Sequence, residues 1–170
     1  ELDKHTGFRS IYGFDKDAVE LIQYLGTSSG LQDVPVFADE LLIDFDDAEE
    51  QADKLAAKLR KKGINFERYF SGGRSSHFHI KTEPLNGLDT AFRHKTWVAK
   101  HVPGADMSIY HKSGMFRLNG TFHKKYPGQC KHIIDTNPGE LLRIPKVKKT
   151  FVVYDESEPK SPEMVADQLF

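Results

Sequence analysis

The segment Leu41-Leu42-Ile43-Asp44-Phe45-Asp46 is an apolar run that carries carboxylates at two alternate positions. Residues 37–45 read as a strand, in which successive side chains alternate faces. Ile43 and Phe45 then share the buried face, and Asp44 and Asp46 point together to the other. Two carboxylates on one rigid face repel each other unless a cation lies between them. Hard divalent ions such as Mg²⁺ and Mn²⁺ prefer oxygen ligands. One acid has a simpler use: Asp46 or Asp47 could cap the helix that follows. Capping does not account for Asp44, inside an otherwise apolar strand.

The remaining elements follow from periodicity. Residues 8–12 read as a short strand, and 15–25 as a helix with Ala18, Leu21, Ile22 and Leu25 at helical spacing and Gly26 as its stop. Residues 27–35 form a loop. Residues 47–62 give the clearest helix, with a stripe of Ala52, Leu55, Ala56 and Leu59 ended by Gly63. Strands are expected over 64–70 and 76–81, joined by a Gly/Ser turn, and a second amphipathic helix over 89–102. Residues 106–110 and 115–118 read as the arms of a hairpin, with Gly114 free to take a positive φ. Residues 141–144 and 150–154 read as later strands. Strands interleaved with a few helices predict an α+β fold, with mixed or antiparallel sheets flanked by helices. The expected organisation is one domain over 1–154 and a polar tail or linker over 155–170.

Composition narrows the class. Cys130 is the only cysteine, which excludes a disulfide framework and a Cys-rich zinc site and fits a reducing compartment. No apolar run is long enough to span a bilayer, so the expectation is a soluble, cytoplasmic protein without a membrane partner. The net charge of −1 argues against a simple nucleic-acid-coating protein. The charges are unevenly spread, however. Acids outnumber bases before Lys54, whereas between His111 and Lys149 nine lysines and arginines face only Asp135 and Glu140. One half suits cations and the other suits phosphates, although a charge run can also be only a solvated face.

Two further constellations carry chemistry. Ser71-Gly72-Gly73-Arg74-Ser75-Ser76-His77-Phe78-His79 places backbone N–H groups, hydroxyls and a guanidinium in one turn, all of them phosphate donors. His77 and His79 follow on one strand face. An ordinary Gly/Ser hairpin, or a His-x-His zinc site lacking a third ligand, is the rival account. Asp106 precedes Tyr110, Arg117, Asn119, Gly120, Thr121, His123, Lys124 and Lys125. Here a carboxylate faces a basic, hydroxyl-rich strand, and a surface Asp–Arg pair is the alternative.

Taken together, the order is acid-x-acid on a strand, then a Ser-Gly loop leading into Ser-x-His, then a later Asp with a downstream Arg and Lys. This resembles the archaeo-eukaryotic primase superfamily and, within it, the primase-polymerases. Asp44-Phe45-Asp46 matches the acid-x-acid motif, Ser75-Ser76-His77 the Ser-x-His motif, residues 106–110 the third-motif aspartate strand, and residues 116–121 the following Arg-x-x-Gly-Thr strand. Asp46 stands where some relatives have Glu, and His123 where some have Lys.

The resemblance implies an RRM-like catalytic core and a primase or DNA polymerase activity that joins nucleoside triphosphates by two-metal phosphoryl transfer. It implies that Asp44, Asp46 and Asp106 are catalytic and hold Mg²⁺ or Mn²⁺. It implies that Ser71, Arg74, Ser75, His77, Arg117, Lys124 and Lys125 bind the nucleotide. The expected partners are nucleoside triphosphates, a single-stranded or primed template, and a helicase or accessory priming domain. Two other classes stay open. One is a metal-dependent nicking or replication-initiator domain, with His77 and His79 as ligands and Tyr110 or Tyr126 as nucleophile. The other is a non-catalytic nucleic-acid-binding module.

Overall fold

The computed structural model describes residues 7–26 and 34–147. The expected strand over 150–154, the tail over 155–170 and most of the loop over 27–35 lie outside the described residues.

In chain order the elements are β1 (Phe8–Ser10), α1 (Lys16–Leu25), β2 (Val36–Asp46), α2 (Glu49–Lys61), β3 (Phe66–Phe70), β4 (Ser75–Gly87) and α3 (Thr90–His101). A 3₁₀ turn (Met107–Ile109) follows, then β5 (Met115–Arg117), β6 (Phe122–His123), β7 (Tyr126–Cys130) and β8 (His132–Asn137). Four antiparallel strands form the main sheet in the order β2-β4-β3-β8, and two small ribbons pair β1 with β5 and β6 with β7. The architecture is α+β, as the interleaved pattern requires.

Strand alternation decides what each face of the sheet does. Leu41, Ile43 and Phe45 on β2, Phe66 on β3, and Phe78 and Ile80 on β4 are at most 1% exposed and form one core. The stripe Ala52, Leu55, Ala56 and Leu59 of α2 and Val98 of α3 close over it. Each of the three phenylalanines, fully buried, is worth roughly 1.5–3 kcal/mol of transfer free energy. Arg68 ties this helical side together. It donates to Asp53 (2.7 Å), to Glu49 and to Ser76 Oγ (3.2 Å), which itself donates to Glu49 (2.9 Å). The opposite face carries a smaller core in which Leu42 meets Ile11, Tyr12 and Phe116.

Several expectations are corrected. Residues 106–110 are not a hairpin arm. Asp106 caps the 3₁₀ turn by accepting from Ser108 N at 2.8 Å, which diverts the chain from an extended path. The strand after it pairs with distant β1 instead, through Phe8↔Arg117 and Ser10↔Met115. Gly114 does not need a positive φ. A Cβ there would sit 2.1 Å from the Ile109 carbonyl oxygen, so the residue is small because backbones meet. Residues 141–144 form no ladder: Leu142 makes a single parallel bridge to Thr82. Neither Asp46 nor Asp47 caps α2, whose N-cap position is Ala48, with no side-chain cap bond.

Candidate functional site

β2 and β4 pair in a register that sets Asp44 opposite His77 and Asp46 opposite Ser75. All four therefore project from the sheet face away from α2 and α3. Ser75 Oγ donates to Asp46 Oδ1 at 2.7 Å, and His77 Nε2 lies 3.5 Å from Asp44 Oδ1. The β1–β5 ribbon folds over this face. Phe116 is packed on the imidazoles of both His77 and His79, with ring centroids 4.3 and 5.5 Å apart. The outcome is a cavity of about 150 Å³ lined by Asp44, Asp46, Ser75 and His77 from the sheet face and by Ser71, Arg117 and His123 from the segments around it. Two carboxylates from the acid-rich half and Arg117 from the base-rich half meet in one space.

The electrostatics are unusual for so few residues. Asp44 is pushed up from 3.8 to about 7, first by burial and then by the charges of Asp46 and Asp106, while Lys131 and Arg117 pull the other way. Its Oδ1 is buried without a hydrogen-bond partner among the described residues. Burial, reinforced by the nearby charge of Lys131, pushes His77 far down and holds it neutral.

A buried, partnerless carboxylate oxygen beside a second carboxylate is the donor chemistry of a hard divalent cation, so Asp44 and Asp46 fit Mg²⁺ or Mn²⁺. Asp106 stands differently. Its backbone N–H donates to the Asp44 carbonyl at 2.8 Å, which brings it alongside. Both its carboxylate oxygens, however, accept from Ser108, at 2.8 Å each. Among the described residues no group of three His, Cys, Asp or Glu gathers closely enough to hold a metal ion.

The residues expected to bind a nucleotide divide likewise. Ser71 is 3% exposed and its Oγ accepts from Gly73 N and Ser75 N at 3.2 and 3.3 Å, so it holds the loop as well as lining the cavity. Arg117 donates to the Phe122 carbonyl at 3.0 Å. Arg74 pairs with Asp47 at 3.2 Å and lines a neighbouring hollow of about 250 Å³ that shares Asp46, Ser75 and His123 with the first. Lys125 and Tyr126 line that hollow too; Lys124 is exposed and lines neither. A separate hollow between α2 and the end of α3 is lined by Leu55, Val102 and Lys58 among others and contains no carboxylate.

Gly72 and Gly73 explain why the loop sits where it does. A Cβ on Gly72 (φ +84°) would lie 3.1 Å from the Cys130 carbonyl carbon, and one on Gly73 would lie 3.0 Å from His123 Nε2. The Ser-Gly-Gly turn is thus pressed against the β6–β7 hairpin, and the contact sets His123 beside the cavity.

Reasoning from sequence missed Lys131 and Glu40. Lys131 is fully buried, with Nζ 2.9 Å from His79 Nε2 and donating to the Arg117 carbonyl at 2.9 Å, under the rings of Tyr69 and Phe116. Burial pushes its ammonium down to about 7. Glu40 accepts from Arg9 (2.6 Å) and Lys81 and lies 3.6 Å from His79 Nδ1. The chain Glu40–His79–Lys131 therefore leads to the backbone of the strand that bears Arg117. No local signal marked it, because the partners lie far apart in sequence. The same chain engages both ring nitrogens of His79, and Tyr110 is sealed at 5% exposure with its hydroxyl on the Leu42 carbonyl at 2.7 Å. The nicking alternative draws no support from either residue.

Among the described residues no helix is long and apolar enough to cross a membrane. Comparison with protein-family models, curated proteins and solved structures finds no match.

Proposed function

We propose that this chain is the catalytic core of a template-dependent nucleotidyltransferase of the primase-polymerase kind, which uses Mg²⁺ or Mn²⁺ to join nucleoside triphosphates on a single-stranded or primed template. One observation carries the reading: Asp44 and Asp46 line a single cavity with Ser75 and His77 beside them on the same sheet face and with Arg117 of the covering ribbon. A triphosphate needs donors for its oxygens, and its transfer needs the developing charge neutralised. The lining supplies the first and the ligands for the second. The β-α-β-β-α succession from β2 to α3 supports an RRM-like core. β8 departs from that pattern by closing on the β3 edge instead of beside β2.

In the proposed reaction a primer 3′-hydroxyl oxygen bonds to the α-phosphorus, the bond to the α–β bridging oxygen breaks, pyrophosphate leaves and the hydroxyl proton is released to water. A divalent ion at Asp44 and Asp46 would neutralise the triphosphate and lower the pKa of that hydroxyl. Arg117 offers its guanidinium fork to phosphate oxygens, and Ser75 its hydroxyl. His77, held neutral, adds a donor without opposing the cation. Arg74, Lys125 and His123 extend the donor surface into the neighbouring hollow, and Asp106, held alongside by its backbone N–H on the Asp44 carbonyl, adds negative charge to the site.

The Asp106 carboxylate accepts from Ser108 at both oxygens, which favours a second reading: a nucleotide- or nucleic-acid-binding module without catalysis. Titration with a nucleoside triphosphate, with and without Mn²⁺, tests the first. The catalytic reading expects Mn²⁺ to tighten binding at least tenfold in the wild type and not in Asp44→Ala, and Arg117→Ala to weaken it in both conditions. Binding that ignores both the metal and Asp44 leaves the module reading standing alone.

A further inference from the structure

We propose that Phe8 is the stacking platform for a nucleobase at this site, an inference that rests on the nucleotide-binding reading above and deepens it. In the β1–β5 ribbon Phe8 lies opposite Arg117, and Ser10 opposite Met115. Directly opposed residues share a face, and so do residues two apart. Phe8, Met115 and Arg117 therefore look out on one side, while Phe116 between them is sealed at 2% exposure.

The outward side is the lip of the acidic cavity, which Phe8 and Met115 line together with Arg117. Phe8 is 47% exposed and Met115 is 52% exposed. Apart from the buried Phe116, the rest of the lining is polar. An aromatic ring left half in water beside a set of phosphate donors suits a ligand with an anionic end and a flat apolar end, and a nucleotide is built that way. The Arg117 guanidinium lies over the Phe8 ring, 5.0 Å from its centroid, so the phosphate donor covers one face of the ring and a base would stack on the other. Every base has a π face, so such a platform adds affinity without choosing a sequence.

The test separates stacking from support of Arg117. Phe8→Leu keeps apolar bulk and removes the π face. Binding is measured in Mn²⁺ for a nucleoside triphosphate, for inorganic tripolyphosphate and for a single-stranded oligonucleotide. Stacking predicts that Phe8→Leu weakens at least one of the two base-bearing ligands by about tenfold and leaves tripolyphosphate unchanged. Loss on the nucleoside triphosphate assigns the platform to the incoming base; loss on the oligonucleotide alone assigns it to the template strand. Equal losses on tripolyphosphate and nucleoside triphosphate overturn the proposal, because Phe8 then acts only through Arg117. Unchanged binding of both base-bearing ligands overturns it too. Should Phe8→Leu fail to fold, Phe8→Trp decides: base-bearing ligands must bind at least as tightly as to the wild type, and looser binding refutes stacking. A wild-type protein that binds none of the three ligands fails the nucleotide reading itself, which is a different result from a platform that fails alone.

Discussion

Asp44 is where the demands of folding and of chemistry collide. Its carboxyl, pushed up to about 7 by burial and by its acidic neighbours, is protonated in the folded chain at pH values where the unfolded chain has ionised it. A folded pKa raised above the unfolded one contributes stability that is full below about 4 and lost as pH rises through 7. The shift corresponds to a destabilisation on the order of 4 kcal/mol once the group is charged in the metal-free protein. Asp44→Asn removes this titration. Its melting temperature should therefore exceed that of the wild type by more at pH 8 than at pH 5, measured without divalent metal. An equal difference at both pH values would show that Asp44 carries no such strain.

At the scale of elements, the Ser71–Ser75 turn works only because the β6–β7 hairpin lies against it. Gly72 and Gly120 provide a matched test. Both have positive φ, +84° and +76°, but a Cβ on Gly120 meets nothing within 4 Å. Gly120→Ala should cost about 1–2 kcal/mol from backbone strain alone. Gly72→Ala should cost more, because the added Cβ also meets the Cys130 and Gln129 backbone, and it should weaken nucleotide binding by shifting His123. Denaturant midpoints and nucleotide titration read the two effects; equal midpoints for both variants would refute the clamp. The elements legible in advance were those with strong local period. They include α2 with its apolar stripe, β2 with its alternation, and β4, which runs to Gly87 instead of stopping at Lys81. The pairings hidden from local pattern were β1 with β5 and β8 with β3, because strand partners far apart in sequence are chosen by packing and not by period. The β6–β7 hairpin was hidden because its turn, Lys124-Lys125, lacks the usual glycine or asparagine signal.

For the molecule as a whole, the sheet separates labour between its two faces. One face is a phenylalanine-rich core under α2 and α3, and the other gathers Asp44, Asp46, Ser75, His77 and Arg117. Arg117 arrives on the β1–β5 ribbon, whereas for Asp44, Asp46 and His77 that division follows from the alternation of β2 and β4, so their position was readable from their spacing. The state of each group was not. His79 reads from its spacing as a twin of His77, yet it faces Glu40 and Lys131. Asp106 reads as a ligand from its position, and its carboxylate also accepts from Ser108 at both oxygens. Both outcomes depend on neighbours brought in from elsewhere in the chain.

The most direct test of the central claim is extension of a primed template by one nucleotide in Mn²⁺, comparing the wild type with Asp44→Ala. The account predicts extension by the wild type and a loss of at least about 100-fold in Asp44→Ala, as removal of several kcal/mol of metal-borne charge stabilisation requires. Extension at equal rates by both proteins, or by neither, would contradict it.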